Sequence, residues 1–86
     1  MVDIRWDLAK SDRLKKERGV SFEKIIQAKL LAVKDHPNRK HQNIMLFEFK
    51  DYVWVAPYVV HGNGIFLKTL FPSRKYTKLW NRGELK

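Results

Sequence analysis

The sequence contains no cysteine, only three prolines and four glycines among 86 residues, and half as many acidic as basic side chains. Without cysteine the chain holds no disulfide and no thiolate metal site. That suits a reducing compartment, and the protein is expected in the cytoplasm. The longest apolar run, Val53 to Val60, falls far short of the ~20 residues of a membrane-spanning helix. Asp3, Arg5 and Asp7 stand in the opening turns, so neither a secretory leader nor a membrane partner is expected. No glycine-rich phosphate loop precedes a helix, and His36 and His41 stand five apart in a polar loop without a ligand cluster around them. The nine acids fall mostly beside lysines, which disfavours a paired-carboxylate hydrolase. No metal and no other cofactor are expected.

What the chain has in excess is positive charge. Eighteen Lys and Arg against nine Asp and Glu give +9, beyond the roughly 2–8 usual for a small soluble domain. A field of that sign concentrates polyanions and speeds their encounter, so nucleic acid or an acidic protein is the expected partner. The hydrophobic content of 44%, with 13% aromatic, is enough to build one core. A chain of this length buries about 60% of its unfolded surface. Residues 1–86 therefore read as one domain.

Local patterns give an element order. Asp3-Ile4-Arg5-Trp6 alternates as a short strand does. Asp7 caps a basic helix over Leu8–Arg18 that Gly19 ends. Ser21 caps a second helix with Phe22, Ile25, Ile26 and Leu30 in a stripe. Residues 35–42 are polar loop. Three strands follow, Asn43–Lys50, Tyr52–Val60 and Ile65–Phe71, with tight turns at Lys50-Asp51 and Gly62-Asn63. Pro57 suggests an edge or a bulge in the second of these. Ser73 caps a last helix, with Tyr76, Leu79 and Trp80 as its stripe. The result is an α+β fold, β-α-α-β-β-β-α, with an antiparallel sheet, the helical pair on one face and the last helix at the edge.

The side chains able to do chemistry are cations and imidazoles. RNA is cleaved without metal when its own 2′-hydroxyl attacks, given a proton acceptor, a proton donor and positive charge at the phosphorus. Two clusters supply those groups. One is the loop of His36, Arg39, Lys40 and His41. The other runs through Lys68, Arg74, Lys75 and Lys78 without an intervening acid. Arg74 and Lys75 open the last helix, where free backbone N–H groups favour a phosphate. His61 beside its Gly-Asn-Gly turn reads first as a turn residue and second as an RNA contact. Trp54 and Tyr58 read first as core. Lys68 in an apolar strand is costly unless its ammonium reaches water or a phosphate.

Trp6-Asp7-Leu8-Ala9-Lys10, followed without a gap by Gly19-Val20-Ser21-Phe22-Glu23, resembles the opening of the BrnT family of bacterial toxins, part of the RelE-like ribonuclease group. His36 and Arg39 in the loop, Tyr58 late in the third strand and Arg74-Lys75 at the last helix fall in the family's order. Departures are Leu14 and Arg18, where many members have Asn and His. The loop at 35–42 is short, and Leu67-Lys68-Thr69 stands where an arginine is often found. The resemblance implies a RelE-like fold, metal-free cleavage of mRNA as the toxin of a type II toxin–antitoxin pair, and a cognate antitoxin partner. Taken together with the basic clusters, it gives an expected site with His36, Arg39, Lys68 and Arg74 in catalysis, Tyr58 positioning substrate, and Lys40, His41, His61, Lys75 and Lys78 on the RNA. Of these, His36, Arg39, Tyr58, Arg74 and Lys75 match the family's order. A non-catalytic toxin of the same fold acting on a protein, or a plain RNA-binding module, would share the basic surface.

Overall fold

A computed structural model of the chain describes residues 3–36 and 42–85. Its elements are β1 (Asp3–Trp6), α1 (Leu8–Arg18), α2 (Phe22–Ile25), β2 (Lys29–Asp35), β3 (Asn43–Phe49), β4 (Tyr52–His61), β5 (Gly64–Leu67), β6 (Phe71–Pro72) and α3 (Arg74–Asn81). The strands form one sheet in the order β1-β5-β4-β3-β2, with β6 also on β4. The α+β class and the three helices are those expected from the sequence, and the expected caps are in place. Asp7, Ser21 and Ser73 accept from the backbone N–H groups of Lys10, Lys24 and Tyr76. Gly19 ends α1 at φ 76°, its N–H on the Lys15 carbonyl, a left-handed turn that glycine enters without steric cost.

Four features depart from the expectation. First, the second helix is a single turn, and Lys29–Asp35 is a strand antiparallel to β3. A register shift between Leu30 and Ala32 breaks its period-two alternation, which is why Leu30-Leu31-Ala32-Val33 does not read as a strand. Second, β1 runs parallel to β5, so the sheet is not wholly antiparallel.

Third, the strand expected over Ile65–Phe71 is two. Pro57 accepts from the Lys68 N–H at 2.8 Å but has no N–H to return, and the pairing stops there. The break shifts parity by one. Leu70 joins the core on one face, Phe71 joins the other, and the Leu70 carbonyl receives Arg18 Nη1 at 2.7 Å. Fourth, α3 does not sit at the edge but packs across the second face.

The two faces carry separate cores. On one, α1 and α2 lay Leu14, Val20, Phe22 and Ile25 against Met45, Phe47, Trp54, Ala56, Tyr58 and Leu67. On the other, Tyr76 and Trp80 of α3 cover Ile44, Leu46, Val53 and Val55. At ~25 cal/mol per Å2, each buried large side chain contributes about 1.5–3 kcal/mol. Such contributions have to offset the ordering of two layers of backbone.

Candidate nucleic-acid interface

The residues that carry the family resemblance build a joint. Ser11, 1% exposed, accepts from the Phe22 N–H at 3.0 Å and donates to the Glu23 carboxylate. The Trp6 and Phe22 rings lie 6.1 Å apart. Ser11's hydrogen bond, opposed by burial and aided by the backbone N–H, the nearby Trp6 indole and Lys15, holds the Glu23 carboxyl below its ordinary value. That indole N–H is buried and lacks a geometrically sound hydrogen bond of its own. The motif thus locks β1, α1 and α2 together, and its chemistry is structural.

The exposed site candidates divide between the two ends of the sheet. Ser73 donates to the Val53 carbonyl, which fixes the start of α3, and with it Arg74, at the first turns of β4. His61 is eight residues farther along that strand, about 26 Å at ~3.3 Å per residue. Arg74, Lys75 and Lys78 are exposed on α3, and the Lys75 ammonium lies 5.5 Å from the centre of the Tyr76 ring. The same end carries a basic groove of about 400 Å3 lined by Lys15, Lys24 and Lys50 with Ser21 and Phe49.

At the other end stand His61 and His36, while the Lys68 backbone meets Pro57 midway along β4 and its ammonium lies over Phe66 on the His61 side. The Asp35–Asn43–Tyr58 row crosses β2, β3 and β4 there, and the His36 N–H donates to the Gln42 carbonyl just past it. Arg39, Lys40 and His41 lie outside the described residues. Tyr58 is a correction. Its side chain is 8% exposed, with the ring packed in the core beneath α1 and α2, so most of it serves packing and little of it faces RNA. The sequence reading that put it in the core is the one that holds.

α3 covers only part of its face. Beyond it, the same face continues through Val59 and His61, Phe66 and Gly64, and Arg5 and Asp3, paired in register across β4, β5 and β1. These residues line an open groove of about 590 Å3. Val59 and Phe66 are its apolar floor. Arg5, whose Nε lies 2.8 Å from Asp3, and exposed His61 stand on its rim. Lys68 extends over the floor, its ammonium 5.7 Å from the Phe66 ring centre. That position resolves the cost of a lysine in an apolar strand, because the side chain is exposed and its charge rests on an aromatic face. β1 reaches this place only because residue 64 is glycine, since a Cβ there would lie 2.5 Å from the Asp3 carbonyl oxygen.

Sequence reasoning missed Arg5 and Phe66. The alternation of residues 3–6 puts Arg5 opposite Ile4 and Trp6, but a parallel partner some sixty residues away leaves no local signal. Among the described residues, no group of three or more His, Asp or Glu could hold a metal ion, and no helix is long and apolar enough to cross a membrane.

No protein-family model matches the chain, and no curated protein sequence matches it. Among solved structures, the crystal structure of the Brucella abortus ribonuclease toxin BrnT is similar with a TM-score of 0.56, over 85% of this chain and 97% of that one, at 16% identity. At that identity the likeness is one of architecture, and the protein has the fold of the BrnT ribonuclease toxin.

Proposed function

We propose that the protein is the toxin of a type II toxin–antitoxin pair, a metal-free endoribonuclease that cleaves mRNA and is held in check by a cognate antitoxin. The observation that carries this reading is the imidazole and cation set left exposed at one end of the sheet, His61 with Lys68 and Arg5, on a fold shared with a ribonuclease toxin. A 2′-hydroxyl attacks the neighbouring phosphorus and gives its proton to a base, while the 5′-oxygen leaves with a proton from an acid. The products are a 2′,3′-cyclic phosphate and a free 5′-hydroxyl. An imidazole can serve in either proton transfer at neutral pH. His61 takes one role and His36, at the same end of the sheet, is the candidate for the other. Lys68 and Arg5 bear on the charge that builds at phosphorus.

Arg74 lies too far along β4 to share that centre. Its place at the start of α3, beside backbone N–H groups, suits it to grip the RNA backbone at a distance. The test is induced expression with RNA integrity followed over time, together with cleavage by purified protein. Lys68→Ala and His61→Ala should each lower cleavage by about two to three decades with an unchanged melt. Arg74→Ala should weaken RNA binding and leave the single-turnover rate at saturation near that of the parent. Intact RNA and normal growth on induction of the parent chain would overturn the reading.

A further inference from the structure

We propose that the groove over Phe66 is a base-stacking subsite, in which one unpaired RNA base lies on the Phe66 ring while Arg5 and Lys68 engage the phosphates on either side. The proposal rests on the ribonuclease reading and adds to it the part of the substrate this surface recognises.

Four observations converge on it. Phe66 is half-buried on a sheet face that α3 leaves bare, in register with Val59 on one side and Arg5 on the other. The floor is therefore narrow, two side chains wide, which fits a flat ring better than an amphipathic helix. A cation already lies over that ring, Lys68 at 5.7 Å, so the face is electron-rich and accessible from above. Positive charge reaches the ring from two directions, from Arg5 across on β1, 76% exposed and ion-paired to Asp3, and from Lys68 farther along β5. The groove, about 590 Å3, has room for a nucleotide. Single strands are held in this way where sequence matters little, by an aromatic platform flanked by positive charge. Occupation would move the Lys68 ammonium from the ring to a phosphate, coupling the arrival of a base to the delivery of charge at the adjoining linkage.

The experiment measures binding of a 2′-O-methyl hexanucleotide, whose blocked nucleophile prevents cleavage, and of an abasic sugar–phosphate oligomer of equal length and charge. The proteins are the full chain, Phe66→Leu and Phe66→Trp. The full chain should prefer the base-bearing oligomer by about ten-fold. Phe66→Leu should erase the preference without changing the salt dependence, which reports the phosphates, and Phe66→Trp should restore it. Melting curves for each variant confirm that the fold is kept.

If Phe66→Leu retains the preference while the full chain still cleaves RNA, the subsite is wrong and the ribonuclease reading stands. Equal binding of both oligomers by the full chain makes the groove a plain cationic surface, open to an acidic protein, and overturns the proposal. A full chain that neither binds nor cleaves RNA removes the ribonuclease reading and the subsite together.

Discussion

Replacing Thr77 by valine should weaken the protein far more than the loss of one hydroxyl on a helix suggests. Thr77 is 8% exposed, and its Oγ1 accepts from the Val53 N–H at 2.8 Å while donating to the Ser73 carbonyl at 2.6 Å. β6 pairs with β4 only at Trp54 and Val55. Val53, one residue before that pairing, points both its N–H and its carbonyl at the start of α3, where Ser73 and Thr77 stand in for the missing strand. Valine has the shape of threonine, so packing survives and only the acceptor is lost. The Ser73 carbonyl keeps the Thr77 N–H at 3.1 Å, but the Val53 N–H has nothing to replace the hydroxyl. An orphaned buried N–H costs about 1–3 kcal/mol. At roughly 4–8 °C per kcal/mol for a domain of this size, Thr77→Val should melt about 10 °C below the parent. Thr77→Ser, which loses only a methyl, should fall by about half as much. Hydrogen exchange at Val53 should quicken in the valine variant alone. A Thr77→Val protein melting within about 2 °C of the parent would show that α3 is held by Tyr76 and Trp80 alone, and the argument for a helix-borne ladder would be refuted.

Ser11→Ala should cost about 1–3 kcal/mol in a melt at neutral pH, because it leaves the buried Phe22 N–H unpaired. Acid should also act through Glu23. Its folded carboxyl titrates below the ordinary 4.5, so its contribution is present above that value and fades as pH falls through the folded one. The parent should therefore lose stability between pH 5 and 3 more steeply than Glu23→Gln, and parallel curves would refute the linkage. Gly64→Ala should cost about 1–3 kcal/mol and loosen β1, seen as faster exchange at residues 3–6, because the new methyl meets the Asp3 backbone. Asp51→Gly should raise the melting temperature, since Lys50 and Asp51 both sit at positive φ, 54° and 62°. Relieving one residue of that conformation gains about 1 kcal/mol.

Much of this architecture was legible where the signal is local. The caps at Asp7, Ser21 and Ser73, the Gly19 stop and the Lys50-Asp51 hairpin follow from side chains within four residues of one another. β2 was not legible, because its bulge disguises the alternation and Ile26 and Leu30 imitate a helical stripe. The split between β5 and β6 had a visible cause in Pro57, yet its effect falls on residues 68–71, whose faces exchange. The site was legible only in part. His61 and Lys68 were recognised as chemical types, but their grouping with Arg5 and Phe66 depends on a parallel pairing that only tertiary structure creates. Tyr58 illustrates the converse, where the order of residues suggested a substrate contact and the structure puts most of the side chain in the core.

The parallel union of β1 with β5 also governs when the protein can come into being. Asp3 must wait for Gly64 to be made, and at ~5–20 residues per second that delay is about 3–12 s. During it the amino-terminal strand has no partner, and contacts so distant in sequence form slowly even once both segments exist. A nascent chain cut short before Leu67 would lack one wall of the groove whatever else it had folded. A surface whose strands lie some sixty residues apart exists only once both have been made, so synthesis itself acts as a timer on whatever that surface does.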